Sequence, residues 1–346
     1  MVLAAGWASG CAAPAGARPY WPGRQGWAGA GLDDRPREDL RLALDHALQD
    51  NTASVLVIRD GLVAAEGYAE GFDPADRVQL ASAAKSVVAL LVGIAIDQGA
   101  IRSVDQSAAD FVPAWRNTPR EAIRIRHLLS MTSGMTDEGL SVRNVDGDQF
   151  AINAAAPLRY EPGTHWRYAS AIYHLLFHIL SAATGTSLEA FARNTLLDPI
   201  GAASFEWVTD QVETERGPRT NYYTGLSSAR DLARIGLLVA RGGEWRGRRV
   251  VSTQYLQACL SPSQPHNPAY GWLWWLNRES GHAARPGPPV HRFPGAPRDT
   301  VAALGAGGQA LLVVPSESLI VVRQGRRPSN PGLVGELLSG VRSALA

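Results

Sequence analysis

The sequence predicts an α+β fold, an α/β sandwich whose antiparallel sheet is flanked by the terminal helices, with an all-α domain inserted into it. Three observations predict it. A hairpin signal lies near the start, helical periodicity dominates from Ala83 to about Thr224, and strand signals return after Val250 before a closing helix. The bounds that follow are 1–34 for a tail or export segment, 35–82 with 225–346 for the sandwich, and 83–224 for the inserted, mainly helical domain.

Residues 10–34 are rich in Gly, Ala, Pro and Trp and read as a tail or wrapping segment. A helix follows from about Arg37 to Gln49, with Leu40, Leu42, Ala43 and Ala47 roughly on one side. Ser54–Arg59 and Leu62–Gly67 flank Asp60-Gly61, a two-residue turn pair that tolerates positive φ, so they form a hairpin. Helices are expected at Ala83–Gln98, Arg120–Ser130, Ala171–Ala183 and Leu188–Leu196. Gly99 suits the C-cap of the first, and Thr186 with Glu189 makes a capping box for the last. Ser228, with Asp231 three residues on, opens a helix over about Ala229–Arg241. Tyr270–Asn277 is aromatic-rich, and 279–298 is a Pro/Gly-rich loop. Gln309–Val314 and Leu319–Gln324 make a second hairpin around 315–318, and Gly332–Leu345 reads as the closing helix.

The chain has 346 residues, 45% hydrophobic and 19% charged, enough for one large or two modest cores. The net charge is +1 with no basic run or basic helix face, which argues against nucleic acid as a partner. No run of 18 apolar residues occurs, so no segment reads as a spanning helix. Cys11 and Cys259 are too few for a paired-cysteine metal motif, and a bond between them would need the tail to reach the body. Ala8-Ser9-Gly10-Cys11 loosely matches a bacterial lipoprotein cleavage site, although no Lys or Arg precedes the apolar stretch. This predicts export, periplasmic or anchored through a lipid on Cys11 as the sole membrane contact. The plain alternative is a disordered small-residue tail on a cytoplasmic protein.

Lys85 is the only lysine; every other basic residue of the 33 is arginine. Arginine stays protonated, whereas a buried lysine can lose its proton and act as a base. Ser82 stands three residues earlier, where extended Val78-Gln79-Leu80 gives way to a helical pattern. Serine and lysine then share one helix face, and free N–H groups at the helix start favour a developing oxyanion. A hydroxyl nucleophile needs such help at neutral pH. A helix-capping serine beside an exposed lysine is the alternative.

Val78-Gln79-Leu80-Ala81-Ser82-Ala83-Ala84-Lys85-Ser86 resembles the first motif of the serine β-lactamase and penicillin-binding superfamily. The resemblance continues in order. It takes in Ile123 to Met135, Pro162-Gly163 through Tyr168-Ala169-Ser170, Thr224 to Ala233, Tyr270-Gly271-Trp272 and Gly305-Ala306-Gly307-Gly308-Gln309. It spans about Leu40 to Arg323 and is nearest the class C β-lactamase-like branch, with its family VIII esterases, D-amino-acid peptidases and 6-aminohexanoate-dimer hydrolases.

The resemblance implies a β-lactamase/transpeptidase-like fold and acyl transfer on a small ester, amide or lactam, without metal or organic cofactor. It makes Ser82 the nucleophile, Lys85 its proton-handling partner and Tyr168 the third catalytic group. Read locally, Tyr168 is more commonly a buried aromatic whose hydroxyl bonds the backbone, and Ser170 is either the polar member of its motif or a helix N-cap. The third motif departs from the pattern, with Ala303-Leu304-Gly305 in place of Lys or His, Thr or Ser, then Gly. The backbone N–H of Ala306 still suits an oxyanion hole with that of Ser82, beside Gly305. The missing cation and hydroxyl favour esters or other amides over β-lactams. β-Lactamase or D-amino-acid peptidase activity is the alternative within the fold. A non-catalytic peptidoglycan-binding or scaffolding protein is the alternative outside enzymes.

Weaker signals remain. His174 and His178 have metal-ligand spacing on one expected helix, but no third ligand is suggested, so structural histidines are expected. Asn144 to Asp148 is acidic and loop-like without the full calcium-loop pattern. Trp272, Trp274 and Trp275 are expected in the core, with room for one of them at the cleft.

Overall fold

The computed structural model describes residues 19–346 apart from 24–25, 142, 144–146, 216 and 281–290. Cys11, and positions 144–146 of the acidic, loop-like stretch, lie outside the described residues. Helix α1 (Asp34–Leu48) leads into the hairpin β1 (Thr52–Arg59) and β2 (Leu62–Tyr68). Then come β3 (Val78–Gln79), α2 (Ala84–Asp97), α3 (Ile125–Leu129), α4 (Gln149–Ala154), α5 (Leu175–Thr184), α6 (Leu188–Ala192) and α7 (Asp198–Ile200). The hairpin β4 (Glu206–Thr214) and β5 (Gly217–Ser227) precedes α8 (Ala229–Ala240), β6 (Glu244–Trp245), β7 (Arg248–Arg249) and α9 (Thr253–Cys259). The chain closes through β8 (Trp275–Leu276), β9 (Val301–Gly305), β10 (Gln309–Val314), β11 (Leu319–Gly325) and α10 (Leu333–Ala344).

The main sheet has six strands in the order β2-β1-β11-β10-β9-β8, and every pairing is antiparallel. Successive side chains in a strand point to opposite faces, and the core divides accordingly. Val55, Val57, Leu312 and Val321 pack with Leu40 and Leu44 of α1 and Leu337 and Val341 of α10. Leu56, Ile58, Leu311 and Ile320 join the larger core with α2, α5 and α8. The sheet is thus covered on both faces, which explains why its central strands read as continuous apolar runs. At the β1–β2 turn Asp60 and Gly61 have φ of 55° and 88°, the pair of left-handed residues that a tight two-residue hairpin requires.

Several expectations need correction. The stretch expected to be mainly helical also holds the β4–β5 hairpin, which forms a second sheet with β3. In β4 only Trp207 is buried, so no clean apolar alternation marks it. The expected Arg120–Ser130 helix is broken, because Ile123 and Arg124 are extended where Arg124 bridges to Ser107. The helix from Leu188 is capped by Ser187, which accepts from Ala190 N–H, rather than by Thr186. It passes through a π turn at Arg193–Leu197 before α7. Leu42 of α1 is exposed, and Leu44 takes its expected place in the core. Ser228 caps α8 as expected, accepting from Asp231 N–H. The described part of the leading segment runs along β2. Val63 N–H donates to the Ala28 carbonyl, Ala30 N–H donates to that of Val63, both at 2.8 Å, and Trp21 packs on Trp245.

Candidate active site

Ser82 lies in a 3-10 turn, Ala81–Ala83, that runs directly into α2, of which Lys85 is the second residue. One helical turn separates them, and Lys85 Nζ donates to Ser82 Oγ at 2.9 Å. An uncharged amine also carries a lone pair, so the same contact can take the serine proton. Ala81 has φ of 48°, a left-handed value that costs a residue with a Cβ about 1 kcal/mol or more. Neighbouring strands hold this turn in place. Leu80 N–H donates to the Gly225 carbonyl at 2.8 Å, and Thr224 Oγ1 donates to the Ala81 carbonyl at 2.7 Å. On the helix side, Ser86 Oγ donates to the Leu273 carbonyl at 2.7 Å.

Lys85 is only 3% exposed, whereas Ser82 is half-buried. Burial disfavours the ammonium form and pulls the Lys85 pKa down to about 7, against an opposing pull from the Asp137 carboxylate. The amine is therefore substantially neutral at physiological pH. Its Nζ stands 4.1 Å from the centre of the Tyr173 ring and 5.2 Å from that of Tyr168. The Tyr168 phenol hydrogen-bonds Ser82, and burial raises its pKa above 10, so at neutral pH it carries its proton. Hydroxyl, amine and phenol thus meet at one point.

The sheet approaches from the opposite side. Gly305, the last residue of β9, packs so closely on the Ser82 turn that a Cβ there would run into the Leu80 carbonyl and lie 3.1 Å from Ala83 N. Ala306 follows at the surface. Ser170 is half-buried and is not the helix cap. The Ala171 N–H donates instead to Asp137 Oδ2 at 3.1 Å, across 34 residues of sequence. Asp137 also faces Arg167, with 3.7 Å between Oδ1 and Nε.

An aromatic wall surrounds Tyr168. Trp275 stacks on it at 5.7 Å between centroids, and Tyr270 meets it edge-on at 6.1 Å. Of the three tryptophans, Trp274 is core and Trp275 is the one beside the site. The exposed Arg292 sits 3.8 Å over the Trp275 ring and acts on the phenol as a nearby positive charge. Sequence reasoning missed Asp137, Tyr173 and Arg292, and left open which of the three tryptophans stands at the cleft. Asp137 follows the matched Ser133-Gly134-Met135 stretch by two residues, which is the only signal that pointed near it. Among the described residues no group of His, Cys, Asp and Glu is arranged to hold a metal ion.

A hydroxyl nucleophile beside a buried neutral amine and a protonated phenol is the equipment of a serine hydrolase working through an acyl-enzyme. The chain belongs to the β-lactamase family, whose model, described as Beta-lactamase, matches residues 43–336. It is 26% identical over 312 residues to the 6-aminohexanoate-dimer hydrolase of Paenarthrobacter ureafaciens, covering 81% of this chain and 74% of that one. It is 28% identical over 158 residues to the esterase EstB of Burkholderia gladioli, covering 39% of each chain. A penicillin-binding protein homologue from Caulobacter crescentus superposes with a TM-score of 0.68 at 16% identity, over 91% of this chain and 99% of that one. The fold is that of β-lactamases and transpeptidases, with mixed helices and an antiparallel sheet.

Proposed function

We propose that the protein hydrolyses a small ester or amide by acyl transfer to Ser82, with Lys85 as the base and Tyr168 as the acid. The observation that carries this reading is the 2.9 Å contact between Ser82 Oγ and a buried amine whose pKa lies at about 7. Ser82 Oγ attacks the carbonyl carbon while its proton passes to Lys85 Nζ. The oxyanion is met by the backbone N–H groups of Ser82 and Ala306, a role supported by the close packing of Gly305 on the serine turn. The tetrahedral adduct collapses as the Tyr168 O–H gives its proton to the departing alcohol or amine. The proton on Lys85 then returns to the Tyr168 oxygen, which restores a neutral pair around the acyl-enzyme. Water attacks the acyl carbon by the reverse relay and leaves Ser82 protonated. No step calls for a metal or cofactor.

Esters are preferred over β-lactams because Ala303 and Leu304 offer neither a cation nor a hydroxyl at the end of β9. The partial likeness to an esterase agrees with this. Two measurements test the reading. A fluorophosphonate should give a stoichiometric adduct at Ser82 in native protein, and the absence of an adduct would favour a non-catalytic binding role. A chromogenic ester should turn over faster than a chromogenic cephalosporin, and the reverse order would make the protein a β-lactamase.

The pH dependence follows from the sign of the lysine shift. Lys85 works only when deprotonated, so kcat/KM should rise with pH and level off above about 7. Below that point it should fall about tenfold per pH unit. A rate that stays flat down to pH 5 would remove Lys85 from the base role.

A further inference from the structure

Tyr168, the acid of the proposed mechanism, has no regular element beneath it. Residues 165–169 belong to neither helix nor strand, and α5 begins only after the turn at Ile172–His174. Trp275 stacks on the Tyr168 ring and Tyr270 meets it edge-on, which fixes the plane of the ring. Where the phenol lies within that plane is set by the backbone on either side. One residue before it, the Arg167 N–H donates to the Met131 carbonyl at 3.0 Å. Three residues after it, the Ala171 N–H donates to Asp137 Oδ2 at 3.1 Å.

Both anchors lie on one loop, residues 131–137, and that loop is pinned in turn. The Gly134 carbonyl accepts from the Arg159 and Tyr160 N–H groups at 2.8 and 3.1 Å, and the Thr136 N–H donates to the Pro157 carbonyl at 2.9 Å. Asp137 is the side chain that joins this loop to the tyrosine segment. Its Oδ2 holds Ala171 and its Oδ1 faces Arg167 Nε at 3.7 Å, so the two oxygens reach the residues that flank Tyr168-Ala169-Ser170. The Asp137 side chain is 15% exposed, whereas the neighbouring Glu138 meets Arg167 Nη1 at 3.0 Å from a position 70% exposed. An ion pair in solvent contributes little, and a shielded carboxylate on a helix-start N–H is the stronger contact.

We propose that Asp137 is a positioning residue for acyl transfer, whose carboxylate clamps both ends of the Tyr168-Ala169-Ser170 segment and so holds the phenol on Ser82. This rests on the reading of Tyr168 as the acid. A proton donor matters most where the leaving group is poor. An alkoxide needs the proton as it departs, and a nitrophenolate does not. Loss of the clamp should therefore slow alkyl esters selectively. A side chain that only stabilised the fold would slow good and poor leaving groups alike.

The test compares kcat/KM, which reports acylation, for an ethyl and a p-nitrophenyl ester of one acid that the wild-type protein turns over. At about pH 8.5 Lys85 is neutral in every variant, because removing the Asp137 charge only lowers its pKa further from about 7. Asp137→Ala should lose about tenfold or more on the ethyl ester and less than about threefold on the nitrophenyl ester. Tyr168→Phe should show the same selectivity more strongly, and the double variant should be no slower than Tyr168→Phe alone. Asp137→Asn keeps an oxygen for the Ala171 N–H and should fall between wild type and Asp137→Ala. It carries the test should Asp137→Ala prove unfolded by circular dichroism. Glu138→Gln should leave both rates unchanged. A Tyr168→Phe variant that slows both esters alike would overturn the acid reading and the clamp with it. Selectivity in Tyr168→Phe but in neither Asp137 variant, or losses that simply add in the double variant, would overturn the clamp alone.

Discussion

Lys85→Arg should lose about 10³-fold or more in kcat, although it keeps a basic side chain at the position. The reasoning starts from burial. Lys85 is 3% exposed and its amine titrates at about 7, so near neutrality a large fraction is ready to take the Ser82 proton. A guanidinium stays protonated at any accessible pH and has no acceptor lone pair for that proton. It is also larger and planar, and would press on the Tyr173 ring that stands 4.1 Å from Nζ. Stability should fall as well, because a permanent charge replaces one that the interior had shed. Thermal unfolding must accompany the kinetics, so that inactivity of folded protein is distinguished from loss of fold. Fluorophosphonate labelling should slow in parallel with turnover. Near-normal rates in folded Lys85→Arg would show that no neutral amine is required and would leave Tyr168 as the base.

The parts legible in the sequence are those specified by local chemistry. Asp60-Gly61 announced the first hairpin because few residue pairs adopt two positive φ values, and the turn has them at 55° and 88°. Ser82 and Lys85 were readable as neighbours because three residues make nearly one helical turn. The apolar runs of β10 and β11 survive into the structure because both faces are buried. What was not legible depends on contacts distant in sequence. The β4–β5 hairpin escaped because its outer strand buries only Trp207. Asp137 displaced Ser170 as the helix cap through a bond to Ala171 N–H that no local pattern encodes. Arg292 reaches the site over Trp275, a contact between residues distant in sequence that no local spacing encodes. Tyr168 lies between these cases. The resemblance pointed to it, while its surroundings alone left it indistinguishable from a core aromatic.

Gly305→Ala should cost about 10²-fold or more in kcat/KM while leaving Ser82, Lys85 and Tyr168 unchanged. A Cβ at this position would run into the Leu80 carbonyl and press on Ala83 N and the Gln309 side chain. Backbone cannot rotate away as a flexible side chain can, so β9 and the serine turn must separate. In the proposed mechanism that separation moves the Ala306 N–H from the oxyanion that the Ser82 N–H would also serve, and misplacing one donor by about 1 Å weakens transition-state binding more than substrate binding. The loss should therefore appear mainly in kcat, with KM changed little. Overpacking should also lower stability by about 1–3 kcal/mol. Gly335→Ala is the matched control. Gly335 lies within α10 with nothing within 4 Å of an added Cβ, so alanine there should stabilise the protein slightly and leave turnover alone. If Gly305→Ala turned over at the normal rate, the end of β9 would have no part in holding the oxyanion, and its second donor would have to come from elsewhere around Ser82.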